Sequence, residues 1–236
     1  MLTPAEARRF VRPGDADPQH DVDLAWELLY RLEPELYDRL ATAERLHPGV
    51  AGWLPHDVGR IAEIGAGSGR LTMELAGHGQ RIVAVEPAQP LRRILRRKLA
   101  AAGHADRVQV IPGFFDQLPL ADKSADLVVT CSAFTPGPEH GGAAGLAEME
   151  RVARPGGLVV IVWPNHLDWL AAHGYRYVSF PGPMAVQFAS PREAVELAEI
   201  FFPQAAAEIR HRGSRTVPFE VLGINPPRDL AYQVLA

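Results

Sequence analysis

The sequence holds one cysteine, Cys131, in 236 residues. An internal disulfide is therefore excluded, and a reducing, cytoplasmic setting is the expectation. No apolar run approaches the ~20 residues that span a bilayer, so no membrane association is expected. Residues 1–17 carry Glu6, Arg8, Arg9 and Arg12 and no long apolar stretch, which argues against a secretion leader. A basic excess is also missing. Lys+Arg number 24 against Asp+Glu 28, a formal charge of −4, which argues against a nucleic-acid-coating surface. There is no internal repeat and no low-complexity tract.

What remains is an ordinary globular composition, 47% hydrophobic, enough to bury a substantial core. The length suits one domain with embellishments: an N-terminal arm and helical cap over residues 1–54, then one structural unit over 55–236. Residues 1–20, with Pro4, Pro13, Gly14 and Pro18, read as a loose arm. From Asp21, leucines at 24, 28, 32, 36 and 40 recur at helical spacing around Pro34, predicting one or two helices that end near His47-Pro48-Gly49.

A strand–helix alternation follows. Strands are predicted over Arg60–Ile64, Arg81–Val85, Val108–Ile111, Asp126–Thr130 and Leu158–Trp163. Helices are predicted over Arg70–Ala76, Pro90–Ala102 and Ala143–Ala153, the last stopped by Pro155-Gly156-Gly157. Such alternation implies right-handed crossovers and a parallel sheet covered on both faces, and the unbroken apolarity of the strands agrees. The fold class is α/β: a Rossmann-like, seven-stranded, doubly wound, mostly parallel sheet with an N-terminal helical extension. Pro191–Phe202 reads as a late helix. Ala206–His211 and Thr216–Leu222 read as a closing pair of strands around Gly213.

The chemistry concentrates in Arg60-Ile-Ala-Glu-Ile-Gly-Ala-Gly-Ser-Gly-Arg-Leu71. Glu63, Gly65, Ala66, Gly67 and Gly69 fall at a strand-to-helix turn, where glycines let the backbone bend and let a ligand approach the main chain. The spacing departs from the Gly-x-Gly-x-x-Gly of nicotinamide folds, because Arg70 stands where the third glycine would be, and no Gly-Lys-Ser/Thr phosphate loop is present. A glycine-rich turn with no ligand is the alternative for this segment alone. The next strand ends at Glu86, followed by Pro87. An acidic residue about 20 positions beyond the first glycine is the one that takes both ribose hydroxyls.

At these motifs the chain resembles the class I S-adenosylmethionine-dependent methyltransferases of the small-molecule, type 11-like kind, over about residues 58–163. The family pattern Glu/Asp-x-Gly-x-Gly-x-Gly is matched by Glu63, Gly65, Gly67 and Gly69, and the acidic ribose ligand by Glu86. The Gly-Asp-x-x-x-Leu-Pro segment is matched by Gly113 to Pro119, the fourth-strand Asp by Asp126, and the turn before the fifth strand by Arg151 to Gly157. The resemblance implies S-adenosyl-L-methionine as cofactor and methyl transfer to oxygen, nitrogen or carbon of a small-molecule acceptor. An RNA or protein methyltransferase, and a non-catalytic cofactor-binding module, are the alternatives. One departure stands out: Phe114 replaces an Asp that accepts from the adenine amino group. Either Phe114 or Phe115 stacks on adenine with Asp116 as acceptor, or both phenylalanines are core and backbone groups read the base.

Two histidines fall in loops expected at the carboxyl edge of the sheet, His140 after the fourth strand and His166 after the fifth. Either is a candidate general base, and a plain surface histidine is the competing reading. Gly137, Gly141 and Gly142 suggest a loop free to close over a substrate. No metal site is expected, because the fourth strand ends at Cys131-Ser132 and Asp168 alone is a poor site for a hard cation. Asn225-Pro226-Pro227-Arg228 lies too late in the chain for the motif of nucleic-acid amino methyltransferases. Arg92, Arg93, Arg96, Arg97 and Lys98 read as the solvated face of an amphipathic helix. Trp26, Tyr30, Tyr37, Trp163, Trp169, Tyr175, Tyr177 and Phe180 are candidates to roof an apolar acceptor, or else ordinary core. Nothing in the sequence sets an oligomeric state.

Overall fold

A computed structural model gives the structure and describes residues 18–236. The first 17 residues of the expected N-terminal arm lie outside them. Among the described residues the strands are Val58–Ile64 (β1), Gly79–Val85 (β2), Val108–Ile111 (β3), Ala125–Cys131 (β4), Ala153–Val162 (β5), Arg176–Ser179 (β6), Ala185–Gln187 (β7), Thr216–Pro218 (β8) and Asp229–Val234 (β9). The helices are Pro18–Leu32 (α1), Pro34–Ala43 (α2), Pro48–Trp53 (α3), Arg70–Leu75 (α4), Gln89–Ala101 (α5), Gly142–Val152 (α6), Leu167–Ala172 (α7), Pro191–Phe201 (α8), Ala206–Arg212 (α9) and Phe219–Leu222 (α10).

Seven strands form one sheet in the order β3-β2-β1-β4-β5-β9-β6. β3, β2, β1, β4 and β5 run parallel, and β9 pairs antiparallel with both β5 and β6. The period-2 alternation of strands divides the core. Ile61, Leu127, Val129, Val160 and Val162 pack on one face with Leu71 and Leu75 of α4 and Leu95 and Leu99 of α5. Ala62, Ile64, Val128, Val159 and Ile161 pack on the other with Leu146 and Met149 of α6. Both faces are thus covered, as parallel strands without polar alternation require. The order reverses at β1, between β2 and β4, so the crevice beyond the carboxyl ends of these strands is the expected ligand position.

Three segments differ from the sequence-based expectation. Ala206–Arg212 is a helix, because Ala206 and Ile209 bury one face three residues apart, and Gly213, at φ 58°, terminates it in the left-handed region instead of turning a hairpin. Thr216–Pro218 pairs with β7 in a separate two-stranded ribbon, and the sheet is closed by β9 and β6. β5 starts at Ala153, with Arg154–Gly157 absorbed in a register shift against β4.

Residues 180–228, between β6 and β9, do not extend the sheet. Val186, Phe188, Leu197 and Phe219 from this segment share a core with Leu40 and Ala43 of α2. Arg39 of α2 also reaches Glu193 and Glu196 of α8, at 2.7 and 3.0 Å. This two-segment layer forms a roof over the carboxyl edge of the sheet.

At the opposite edge, His56 and His78 stack with ring centroids 3.8 Å apart. His78 is 8% exposed; burial and, secondarily, His56 lower its pKa. The unfolded chain binds this proton more readily than the folded one, so the neutral ring's contribution is complete at high pH and is lost as pH falls below the ordinary imidazole value of about 6.5. His78→Phe, which keeps the stacked ring without a titrating group, is expected to flatten this acid limb. Urea unfolding at pH 5.5 and pH 7.5 would show it as a smaller difference between the two midpoints than in the parent protein.

Candidate active site

The glycine loop follows β1 at the point where the strand order reverses. Gly65, Gly67 and Gly69 have φ of 71°, 56° and 103°, a region that side chains rarely adopt. A Cβ at Gly65 would come within 2.7 Å of Ala133, and one at Gly67 within 3.2 Å of the Tyr37 hydroxyl. The amides of Gly65 and Ala66 both donate to the Val85 carbonyl, at 2.8 and 3.0 Å, so the loop is sewn to the end of β2.

Glu86 completes that attachment. Its Oε2 accepts from the Gly67 amide at 2.9 Å and its Oε1 from the Ala88 amide at 2.7 Å. The side chain is buried, at 5% exposure. Burial pushes its pKa up to about 7, against the pull of the two amides. Glu63 is 1% exposed, is not on the wall of the crevice, and has no hydrogen-bond partner at Oε2. Burial pushes its carboxyl up to about 8 although Thr72 opposes the shift, so it is largely protonated at neutral pH. It lies behind the glycine loop and does not present a carboxylate at the strand tip.

A cavity of about 420 Å³ opens in front of this loop, within the size range of ligand pockets. Gly65, Gly67, Glu86, Pro87, Phe114, Phe115 and Asp116 line one end. Ala66 and Gly69 shape the loop from behind. Phe115 meets Phe134 edge-on at 5.6 Å and packs against the core as well as facing the cavity. Asp116 is exposed at the rim.

The other end lies beneath the roof. It is walled by Trp26 and Leu40 of the N-terminal helices and by Phe201, Phe202 and Ile224 of the segment before β9, whereas Tyr30 and Tyr37 stand at the glycine-loop end, packed on Ala88 and Leu91. Trp163 forms part of the floor, with its indole N–H donating to the Asn225 carbonyl at 3.0 Å. Of the aromatic residues proposed from sequence, Trp26, Tyr30, Tyr37 and Trp163 line the cavity. Trp169, Tyr175, Tyr177 and Phe180 do not: Tyr175 is core, and Tyr177, on the edge strand β6, donates to Asp229 of β9. The loop Asn225–Arg228 is structural, since its carbonyls also accept from His47 and Phe180.

His140 lines the cavity. His166 is exposed beside it, in a shallow depression with Leu167, Asp168 and Trp169. The two histidines are therefore not brought together. The loop carrying His140 is tied down, not free: it forms a single 3₁₀ turn over Pro138–His140, and Thr135 bonds both His140 and Gly142 through the backbone. Gly141 and Gly142 serve positive φ and close packing, because a Cβ at Gly141 would meet Phe134 at 2.8 Å.

Arg70, where a nicotinamide fold has its third glycine, links the two ends. It is paired with Glu44 of the roof, donates to the Ala41 carbonyl at 3.2 Å, and lies 5.1 Å from the centre of the Trp163 ring. The basic cluster on α5 is largely committed to structure. Arg92 holds the carbonyls of Glu86 and Pro87, Arg96 that of Val110, and Lys98 pairs with Asp38. Asp126 bonds the Arg60 amide at 2.6 Å and Arg154 at 2.7 Å, at the far end of the sheet.

A methyltransferase domain family model matches residues 61–157, from within β1 to within β5. That match, together with the strand order and the glycine loop, supports a class I S-adenosylmethionine-dependent methyltransferase. An uncharacterized methyltransferase of Mycobacterium tuberculosis is 29% identical over 175 residues, covering 69% of this chain and 68% of that protein. A dimethylglycine N-methyltransferase of Parasynechococcus marenigrum is 34% identical over 113 residues, 47% of this chain and 39% of that one. Among solved structures, the methyltransferase in complex with the Haloferax volcanii Trm112 activator matches with a TM-score of 0.55 at 17% identity, covering 91% of this chain and 96% of that one. That likeness is one of fold. S-Adenosylmethionine is the cofactor that the family match supports.

Arg70→Met should be strongly destabilising, by about 3–5 kcal/mol, because it leaves Glu44 buried and unpaired. Joining it to Glu44→Leu should recover most of the loss. Denaturant unfolding of the two single variants and the double variant measures this, and equal, additive losses would contradict it.

Proposed function

We propose that this methyltransferase methylates a small-molecule acceptor held under the roof, with its cofactor along the glycine loop and Glu86. The observation that carries the reading is one continuous cavity with the glycine loop at one end, a roof built from two distant chain segments at the other, and His140 on the wall between. The relative that bears a dimethylglycine N-methyltransferase name supports a small acceptor. The structural commitment of Arg92, Arg96 and Lys98 speaks against a polynucleotide lying along α5.

S-Adenosylmethionine supplies, when bound, an electrophilic methyl group on a sulfonium. Gly65 and Gly67 leave room for it against the main chain, and Glu86 takes the ribose hydroxyls. Pro87 and Phe114 flank the adenosine, with Asp116 at the rim and Phe115 as the supporting wall. Glu63, Ala66 and Gly69 hold the loop in shape from behind. The roof excludes water and holds the acceptor in line, and alignment of this kind is worth roughly 7–11 kcal/mol. His140 takes the proton from a hydroxyl or amine acceptor. His166, outside the cavity, is assigned no such part.

Glu86 provides the first test. Ribose hydroxyls donate to the charged carboxylate, while burial favours the protonated form, up to about pH 7. Binding must therefore displace a proton below that pH. S-Adenosylhomocysteine affinity should rise by about tenfold per pH unit below pH 7 and level off above it. Glu86→Gln should bind weakly and lose this slope, and calorimetry across pH 5.5–8.5 reads both. Glu86→Ala should in addition destabilise the fold, by about 1–3 kcal/mol for each orphaned amide.

His140 provides the second test. His140→Ala is expected to lower turnover by about 10²–10⁴ with a hydroxyl or amine acceptor, leaving S-adenosylhomocysteine affinity nearly constant. Full activity in His140→Ala would leave alignment as the source of catalysis.

A further inference from the structure

We infer that the acceptor is an uncharged, largely apolar molecule with a body the size of an aromatic ring system, bound against the stacked pair of Trp26 on α1 and Phe201 of the roof, with Ile224 beside them. This rests on the methyl-transfer reading of the cavity and names its substrate class.

The argument is one of charge pairing. Each ionisable group on the inner wall already has a partner within the protein. Glu27 is paired with Arg31 one helical turn on, with side chains 8% and 11% exposed. Glu44 is paired with Arg70, at 7% and 14%. Glu86 accepts two backbone amides. Arg70 is engaged with Glu44, the Ala41 carbonyl and the face of Trp163. Among the described residues of this wall, a carboxylate or phosphate entering here would find no uncommitted cation, and an ammonium would find carboxylates already neutralised. A charge stripped of water without a new partner is strongly disfavoured.

What the inner wall offers instead is a run of ring faces. Trp26 stacks on Phe201 with centroids 5.8 Å apart and planes at 15°, and Tyr30 meets Trp26 at 6.0 Å and Tyr37 at 4.8 Å. Leu40 and Ile224 add aliphatic surface. Flat apolar bodies pack well on such faces. The polar handles are neutral: burial pushes the Tyr37 hydroxyl up to about 12 and raises that of Tyr30 as well. Both stay protonated and able to hydrogen-bond an uncharged oxygen or nitrogen.

The test compares three probes with one ring system and three charges: naphthalen-2-ol, 2-naphthoate and 2-(aminomethyl)naphthalene. Binding is measured at pH 7 by calorimetry, with and without saturating S-adenosylhomocysteine. Naphthalen-2-ol should bind at least about tenfold more tightly than either charged probe, a gap of about 1.4 kcal/mol. Phe201→Ala should weaken it, and Ile224→Trp, which fills the chamber without removing packing, should abolish it. Both variants should retain S-adenosylhomocysteine affinity, which also verifies their fold. A charged probe that binds as tightly as naphthalen-2-ol overturns the inference, as does naphthalen-2-ol binding that ignores both variants. Failure of S-adenosylhomocysteine to bind, with naphthalen-2-ol still sensitive to Phe201 and Ile224, would remove the cofactor's assigned place and leave the apolar chamber standing.

Discussion

Arg70 sits at the first position of α4, directly behind the last glycine of the loop, and its guanidinium crosses to Glu44 in the roof. Both side chains are nearly out of solvent, so neither can be left without the other. The consequence is geometric. The helix that begins at the glycine loop and the helix that ends beneath the roof are held at one separation, and the cavity between them takes its height from that pair. Trp163, beneath the guanidinium, is held in turn by the Asn225 carbonyl. The pair thus joins the cofactor end of the cavity, its floor and its cover.

Glu86 plays the corresponding part within the sheet. In the usual reading of this motif the strand-end carboxylate waits in water for a ribose. Here it is enclosed and already occupied by the amides of Gly67 and Ala88. The same carboxylate therefore preorganises the loop and is, in the proposed function, the group that takes the ribose. That economy has a cost in protonation, since burial holds its titration near neutrality. The amides that hold the loop favour the charged carboxylate, and burial opposes it.

The roof explains how a widespread fold acquires a particular chamber. The sheet and its flanking helices make the crevice, as the reversal of strand order at β1 requires. The chamber's inner wall comes from α1, α2 and the segment between β6 and β9, which share a single apolar core. The inner wall of the chamber is therefore built by residues outside the stretch that matches the family model, residues 61–157.

Much of this protein was legible in its sequence, for physical reasons. Parallel strands buried on both faces must be apolar throughout, so β1, β2, β4 and β5 announced themselves, and a glycine loop at φ values closed to side chains can be built in few other ways. Glu86 was found by its distance from that loop, although its burial was not. Local pattern failed where tertiary contacts decide. Ala206–His211 looked like a strand, but a helix over Ala206–Arg212 is what buries Ala206 and Ile209 together. β9 is preceded by Pro226-Pro227, which could have marked its start. His140 and His166 were equivalent in sequence, each a loop histidine after a strand. Only the 3₁₀ turn that places one on the cavity wall, and the exposure of the other, distinguishes them. The sequence by itself determined the strands of the sheet, the glycine loop and the cofactor, because strand apolarity, glycine spacing and the offset to Glu86 are local patterns along the chain. The tertiary structure alone decided the roof, the Arg70–Glu44 pair and the chamber's neutral lining, because these form between segments more than a hundred residues apart or across a loop whose direction no local pattern encodes.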